Sequence, residues 1–272
     1  MILVIGTLAF DEIVKTDDLL PADNVKLTGW HRQFGGCGGN LAYTLGRLGH
    51  AHQLSGYLGR ADGAPYLQHL KKAGGGIEGL KLVADSHSAR AFIATDPTGH
   101  QFTAFQPLEV PIETFVSDLD ALIEFSCPEV AMIAPDVPAR MLAAADRFQG
   151  RSRLVCYPGQ YTRHIKPAEL NALFSVADLI FQNRIEHQAH PVPGSCMTVI
   201  TAGADPVRIK TANGEVVVPV PEAKVVDPTG CGDAFAAAFT SAWATGAPLE
   251  VAAIRGIAWA QRCLAVHGSQ SH

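Results

Sequence analysis

Between residues 2 and 201 the sequence alternates short, unbroken apolar runs with segments of helical length. Ile2-Leu3-Val4-Ile5 is the first such run, and others fall at 129–134, 153–157, 178–182 and 196–201. A strand that is apolar at every position, not at every second one, must be covered on both faces. The intervening segments supply the cover: helices are expected at 40–48, with Leu41, Leu45 and Leu48 on one stripe, and at 138–148 and 167–176. Alternation of this kind predicts an α/β fold built on a parallel sheet with helices on both sides. From residue 232 the chain is Ala-rich and reads as two helices parted by Gly246-Ala247-Pro248.

Two stretches break the rhythm. Residues 90–105 read as a β-hairpin, with Asp96-Pro97-Thr98-Gly99 supplying the turn between Phe92-Ile93-Ala94 and Phe102-Thr103-Ala104. Residues 206–220 place Asn213-Gly214 between two apolar arms, a two-residue hairpin signal. The first hairpin and the segment 12–34 are expected to make a small sheet beside the main one. There is no repeat, low-complexity tract or linker, so 272 residues are read as one α/β unit with a β appendage.

Composition narrows the class. Hydrophobic residues at 47% and charged residues at 17% exclude a disordered chain. A net charge of −5 (21 basic against 26 acidic) without a Lys/Arg block argues against a nucleic-acid partner. No 18-residue apolar run exists, so no membrane span is expected, and the first residues lack the basic start of a leader peptide. Six cysteines without a C-x-x-C pair suggest free thiols in a reducing, cytoplasmic setting.

The strongest chemical signal is Asp227-Pro228-Thr229-Gly230-Cys231-Gly232-Asp233-Ala234-Phe235. Its glycines permit close backbone approach, and a helix begins directly afterwards. Backbone N–H groups and the helix dipole then converge on 230–233 as an anion nest suited to phosphate. Asp233 at the helix start can take a proton from an attacking hydroxyl, or it can simply cap the helix. A second cluster, Phe34-Gly35-Gly36-Cys37-Gly38-Gly39-Asn40, lets a ligand lie against the backbone, with Asn40 offering donor and acceptor atoms or acting as an N-cap. Neither a G-x-x-x-x-G-K-[ST] loop nor a G-x-G-x-x-G fingerprint is present. His187 and His190 beside Glu186 read as surface residues in preference to a metal cluster.

Taken together, the two glycine clusters resemble the signatures of the ribokinase-like (PfkB) family of carbohydrate and nucleoside kinases over essentially the whole chain. Asn183-Arg184-Ile185-Glu186, just after a strand, matches the family's Asn-x-x-Glu motif, and Asp11 matches its substrate-binding acid. Gly39-Asn40-Leu41-Ala42-Tyr43-Thr44-Leu45, Thr103-Ala104-Phe105, Pro158-Gly159-Gln160, Cys231 and Gly268-Ser269-Gln270-Ser271-His272 are further similar to bacterial adenosine kinase-like members. One departure is that Thr201-Ala202-Gly203 lacks the final glycine of the family's Thr-x-Gly-x-x-Gly. A second is the brevity of the region between 105 and 129.

The resemblance implies a three-layer α/β/α domain, with a mostly parallel central sheet and a β lid formed from about 12–34 and 88–106. It implies transfer of the ATP γ-phosphate to the 5′ hydroxyl of a nucleoside, adenosine first, or in the alternative reading to ribose, fructose or a related sugar. Asp233 would be the base, and the N–H groups of Gly230, Cys231 and Gly232 would hold the phosphoryl group. Asp11, Gly35, Gly36 and Asn40 would bind the acceptor, with Phe102 and Phe105 stacking on a base or only packing the lid. Asn183, Glu186, Thr201, Gly203 and Gly268 would serve ATP. Glu186 would act on Mg2+ through water, and Asp227 and Thr229 would hold a K+ ion if one binds. Lids of this family can pair between subunits, so a homodimer is an expectation.

Overall fold

The computed structural model describes residues 1–20, 23–98, 101–125, 127–194 and 196–272, leaving aside the side chains at 101, 125, 160, 161 and 163. Strand β1 (Ile2–Ile5) pairs in parallel with β4 (His52–Gly59) on one side and β8 (Val130–Ile133) on the other. Outside β4 lies β5 (Leu80–Val83). Beyond β8 follow β9 (Arg153–Cys156), β10 (Leu179–Asn183) and β11 (Met197–Ala202), all parallel. The antiparallel hairpin β12 (Asp205–Thr211) and β13 (Gly214–Val218) closes that edge.

Successive side chains of β1 enter different cores, as a run apolar at every position requires. Ile2 and Val4 join Leu41 of α1 (Cys37–Arg47), Tyr66 of α2 (Ala64–Lys72), Phe239 of α7 (Cys231–Ala244) and Ile257 of α8 (Leu249–Leu264). Leu3 and Ile5 join Phe115 of α3 (Ile112–Phe125), Phe148 of α4 (Pro138–Phe148) and Phe174 of α5 (Pro167–Val176). Helices α7 and α8 pack closely because α7 is rich in alanine: every residue from Asp233 to Ala242 is buried. Gly256 of α8 meets Phe235, where a Cβ would come within 2.8 Å of the ring.

A second sheet of four strands, in the order β3 (Leu27–Gly35), β2 (Ala9–Thr16), β6 (Ala89–Thr95) and β7 (Gln101–Gln106), leaves the main sheet at Gly6 and returns at Gly36. Only β2 and β6 run parallel within it. Part of the expected β6–β7 turn, Gly99, lies outside the described residues. In the described part, Asp96 Oδ1 accepts from the Thr98 N–H at 2.9 Å and from its hydroxyl at 2.6 Å.

Helix α1 begins three residues earlier than its sequence suggests, and the cause is packing. A Cβ at Gly38 would lie 2.6 Å from the Gly6 carbonyl carbon, and one at Gly39 would lie 2.0 Å from the Tyr66 hydroxyl. The β12–β13 turn is Ala212-Asn213, because Thr211 pairs with Gly214, one residue from the expected register. Strands β4 and β5 and helices α2 and α3 lie outside the expected elements, although Ile112, Phe115, Val116, Leu119 and Ile123 of α3 recur at helical spacing.

Candidate active site

Parallel strands β1, β8, β9 and β10 end on the same side of the sheet, and ligand sites of open α/β sheets form at such carboxyl ends. Thr7, Pro135, Tyr157 and Asn183, just past or at those ends, line a cleft of about 420 Å³. Asp11, Gly36, Cys37, Asn40 and Asp233 make its polar wall, and Ala91, Ile93, Thr103 and Phe105 of the small sheet make an apolar wall.

Asp233 is buried at the third position of α7. Its Oδ2 accepts from Asn40 Nδ2 at 2.7 Å, and its Oδ1 is buried with no hydrogen-bond partner. Burial pushes the carboxyl up to about 6, against the opposing effect of the Asn40 amide and of Cys37 and Tyr157 beside it. Burial and the neighbouring acids hold the Cys37 thiol and the Tyr157 phenol well above their ordinary values, so both stay neutral. A carboxylate poised near neutrality and lining a cleft suits general-base chemistry.

Asp11, on β2, is also buried. Desolvation, then the charges of Asp233, Asp227 and Glu12, raise it to about 7. The backbone beside it must be bare: a Cβ at Gly35 would lie within 2.5 Å of all three carboxyl atoms. Gly36, at φ +80, enters α1 in a conformation that a side chain resists.

Gly230 caps α7 at φ +79. The Cys231 N–H, expected in the anion nest, donates to the Pro228 carbonyl at 3.3 Å within the turn. Thr229 N–H and Gly268 N–H donate to Asp227 Oδ1 and Oδ2, at 2.9 and 3.0 Å. Burial acts to raise the Asp227 carboxyl, but these bonds hold it below its ordinary value.

Asn183 and Glu186 form a reciprocal capping box on α6 (Arg184–Ala189): the Glu186 N–H donates to Asn183 Oδ1 at 2.8 Å, and the Asn183 N–H to Glu186 Oε2 at 2.9 Å. Both residues line the cleft, so the motif caps a helix and faces the site at once.

A second groove, of about 430 Å³, meets the cleft at Pro228 and Gly232. Thr201, Gly203, Val220, Pro221, Val225, Phe235 and Leu264 line it, so its walls are largely apolar. The loop left without its last glycine is only Gly203-Ala204, after which Asp205 pairs with Arg184.

Two expected positions differ. Phe102 pairs with Ala94, whereas Phe105 pairs with Ala91 and Thr103 with Ile93; strand alternation therefore turns Phe102 away from the cleft, and it is 54% exposed. Gly268 lines neither cavity and instead holds Asp227 from behind. His187 is engaged by Gln182 and Lys210, and among the described residues no group of acids, histidines and cysteines could hold a metal ion.

A model of the pfkB family carbohydrate kinases matches residues 1–272. The chain belongs to that family. It is a kinase that uses ATP to phosphorylate a hydroxyl group. A nucleoside kinase of Methanothermobacter thermautotrophicus is 25% identical, covering 92% of this chain and 84% of its own length. A ribokinase of Bacillus subtilis is 24% identical, over 92% of this chain and 88% of its own. The Burkholderia thailandensis nucleoside kinase, solved in complex with inosine, superposes with a TM-score of 0.89 at 26% identity, covering 100% of this chain and 93% of its own.

The pfkB reading from sequence omitted Cys37 and Tyr157 as neighbours of Asp233, and Ala91 and Ile93 as cleft wall. Cys37 stood inside the second glycine cluster, and Tyr157 ended an apolar run just before Pro158-Gly159. Both were therefore visible as strand-end or loop residues. Among the described residues no helix is long and apolar enough to cross a membrane.

Proposed function

We propose that this pfkB kinase phosphorylates the 5′ hydroxyl of a nucleoside, adenosine foremost. The observation that carries the reading is the two-sided cleft. Asp11, Asn40 and the backbone at Gly36 offer the polar contacts a ribose needs, while Ala91, Ile93 and Phe105 offer an apolar face for a base. A sugar would leave that face without a partner. The nucleoside kinase relatives from Methanothermobacter and Burkholderia support the same choice.

In this reading Asp233 accepts the proton of the primary hydroxyl as its oxygen attacks the γ-phosphorus of ATP, and ADP leaves. The backbone N–H groups at 230–232 and the α7 dipole would stabilise the charge on the transferred group. ATP would lie with its base in the apolar groove bounded by Thr201, Gly203 and Val225, and its phosphates at the shared Gly232. The donors on the cleft side of α6 are all oxygens, which fits Mg2+; Glu186 would hold it through water, with Asn183 beside it, and the ion would neutralise phosphate charge. Asp227 and Thr229 would hold K+ at the loop before α7. A homodimer would form through the outer lid face, where Trp30, Phe92 and Phe102 are exposed.

Coupled ADP release with Mg-ATP and adenosine, inosine, cytidine, ribose and fructose tests the acceptor. The reading expects turnover with nucleosides and a 5′-monophosphate product by mass. Turnover with sugars alone would overturn it.

A further inference from the structure

The Asn40 side chain is committed at both ends of its amide. Its Nδ2 donates to Asp233 Oδ2 at 2.7 Å. Its Oδ1 accepts from Gln270 Nε2 and from the Ser269 hydroxyl, each at 2.9 Å, and that hydroxyl also reaches the Phe34 carbonyl at 3.2 Å, so its one proton serves either acceptor. Ser269 and Gln270 are 0% and 4% exposed, though they lie 229 and 230 residues away in sequence. Gln270 is itself fixed by the Tyr66 hydroxyl, which donates to the Gly35 carbonyl beside Asp11. The segment 268–270 thus touches Asp227, Asn40 and the Gly35 turn together.

A carboxamide has a donor end and an acceptor end, and turning it over exchanges them. In the flipped orientation the Asn40 NH2 would oppose the Gln270 NH2, whose other hydrogen goes to Tyr66, and its oxygen would oppose the Asp233 carboxylate. The buried Gln270 amide, with the Ser269 hydroxyl beside it, therefore selects the orientation that presents an N–H to Asp233. We infer that Ser269 and Gln270 are positioning residues for phosphoryl transfer: by clamping Oδ1 they aim the Asn40 N–H at Asp233, and so hold that carboxylate ionised and directed at the acceptor. This rests on Asp233 being the base. The device adds to Cys37 and Tyr157, which also favour the ionised carboxyl, and works against the acids around it. Asp11 from β2, Asp227 from the loop before α7 and Glu186 from α6 are acids, while Cys37 and Tyr157 are neutral.

The test measures kcat against pH, at saturating Mg-ATP and with the acceptor that the wild-type enzyme turns over best, in S269A, Q270M, the double variant and D233N. Saturation keeps Asp11 covered by acceptor, so kcat reports Asp233. Either donor alone still occupies Oδ1, so the single variants shift the acid limb slightly upward. The double variant shifts it by about one pH unit, a roughly tenfold loss at the acid end that recovers at high pH. ATP affinity by titration stays unchanged, and D233N loses the limb altogether. A folded double variant whose limb coincides with wild type would overturn the inference, as would one whose kcat falls equally at every pH, the mark of a merely structural role. Should the double variant not fold, the two single variants decide together: an acid limb that coincides with wild type in both S269A and Q270M would overturn the inference. A D233N enzyme that keeps the wild-type limb would instead overturn the reading of Asp233 on which the inference stands.

Discussion

A methyl group built on Gly230 would lie 2.3 Å from Ser269 Cβ and 3.0 Å from its Cα, with the backbone held at φ +79. G230A therefore meets two separate penalties. A non-glycine residue in the left-handed region costs about 1 kcal/mol. The overlap is with main chain and a first side-chain carbon, so no flexible tip can swing aside, and overpacking of that kind costs roughly 1–3 kcal/mol more. Gly246 isolates the first penalty: it sits at φ +83 with nothing within 4 Å of its notional Cβ. Urea unfolding should show G246A weakened by about 1 kcal/mol and G230A by about 2–4 kcal/mol. Relief in G230A must move either 229–231 or 268–270, so its kcat should fall by about tenfold or more, because displacement of this order misplaces reacting groups. G246A should keep the wild-type kcat. Equal destabilisation of the two variants with both turnovers intact would refute the account of the Gly230–Ser269 contact.

Other expectations follow from the same geometry. F105A should raise the nucleoside KM about tenfold with little change for ATP, the loss of one stacking face, while F102A should leave both constants alone. Equal effects would mean that the lid register is misassigned. Asp11 has its folded pKa raised to about 7 from 3.8, so its protonated form contributes stability at low pH that is lost as pH rises through 7. D11N should accordingly melt higher than wild type at pH 8, by the equivalent of roughly 2–4 kcal/mol, with no gain at pH 3.5 and a weakened acceptor KM. His272 is depressed to about 4 by burial, then by Arg47 and Arg262. The unfolded chain then takes up a proton between pH 6.5 and 4 that the folded chain refuses, so stability falls across that window, and H272Q should flatten the fall in melting curves.

Much of the architecture was written in local pattern. The runs at 2–5, 153–157 and 178–182 became β1, β9 and β10 because an all-apolar strand can only sit between two layers. Strand β4, His-Gln-Leu-Ser-Gly-Tyr-Leu-Gly, escaped notice because its core residues Leu54, Tyr57 and Leu58 are interspersed with polar residues and with glycines packed on backbone: a Cβ at Gly59 would lie 2.2 Å from the His87 carbonyl carbon. The start of α1 was hidden for the same reason, since Cys37-Gly38-Gly39 carries poor helix formers that tertiary contact overrides. In the site, Asp233 and the 230–232 turn were legible as types of residue at a helix start, whereas Asp11 was reached only through the family resemblance. What local pattern could not show was pairing across the chain. The face chosen by Phe105 over Phe102 depends on strand register. The clamp of Ser269 and Gln270 on Asn40 depends on bringing the two ends of the sequence together.

The central claim is that Asp233 takes the proton from the acceptor hydroxyl. Its most direct test is nucleoside monophosphate formation by D233N, followed by mass, alongside titration of the same protein with ATP. The account predicts that product formation falls by about 10²–10⁴-fold, the usual worth of a positioned base, while ATP binds as it does to wild type. Product formed within a few-fold of the wild-type rate would contradict it.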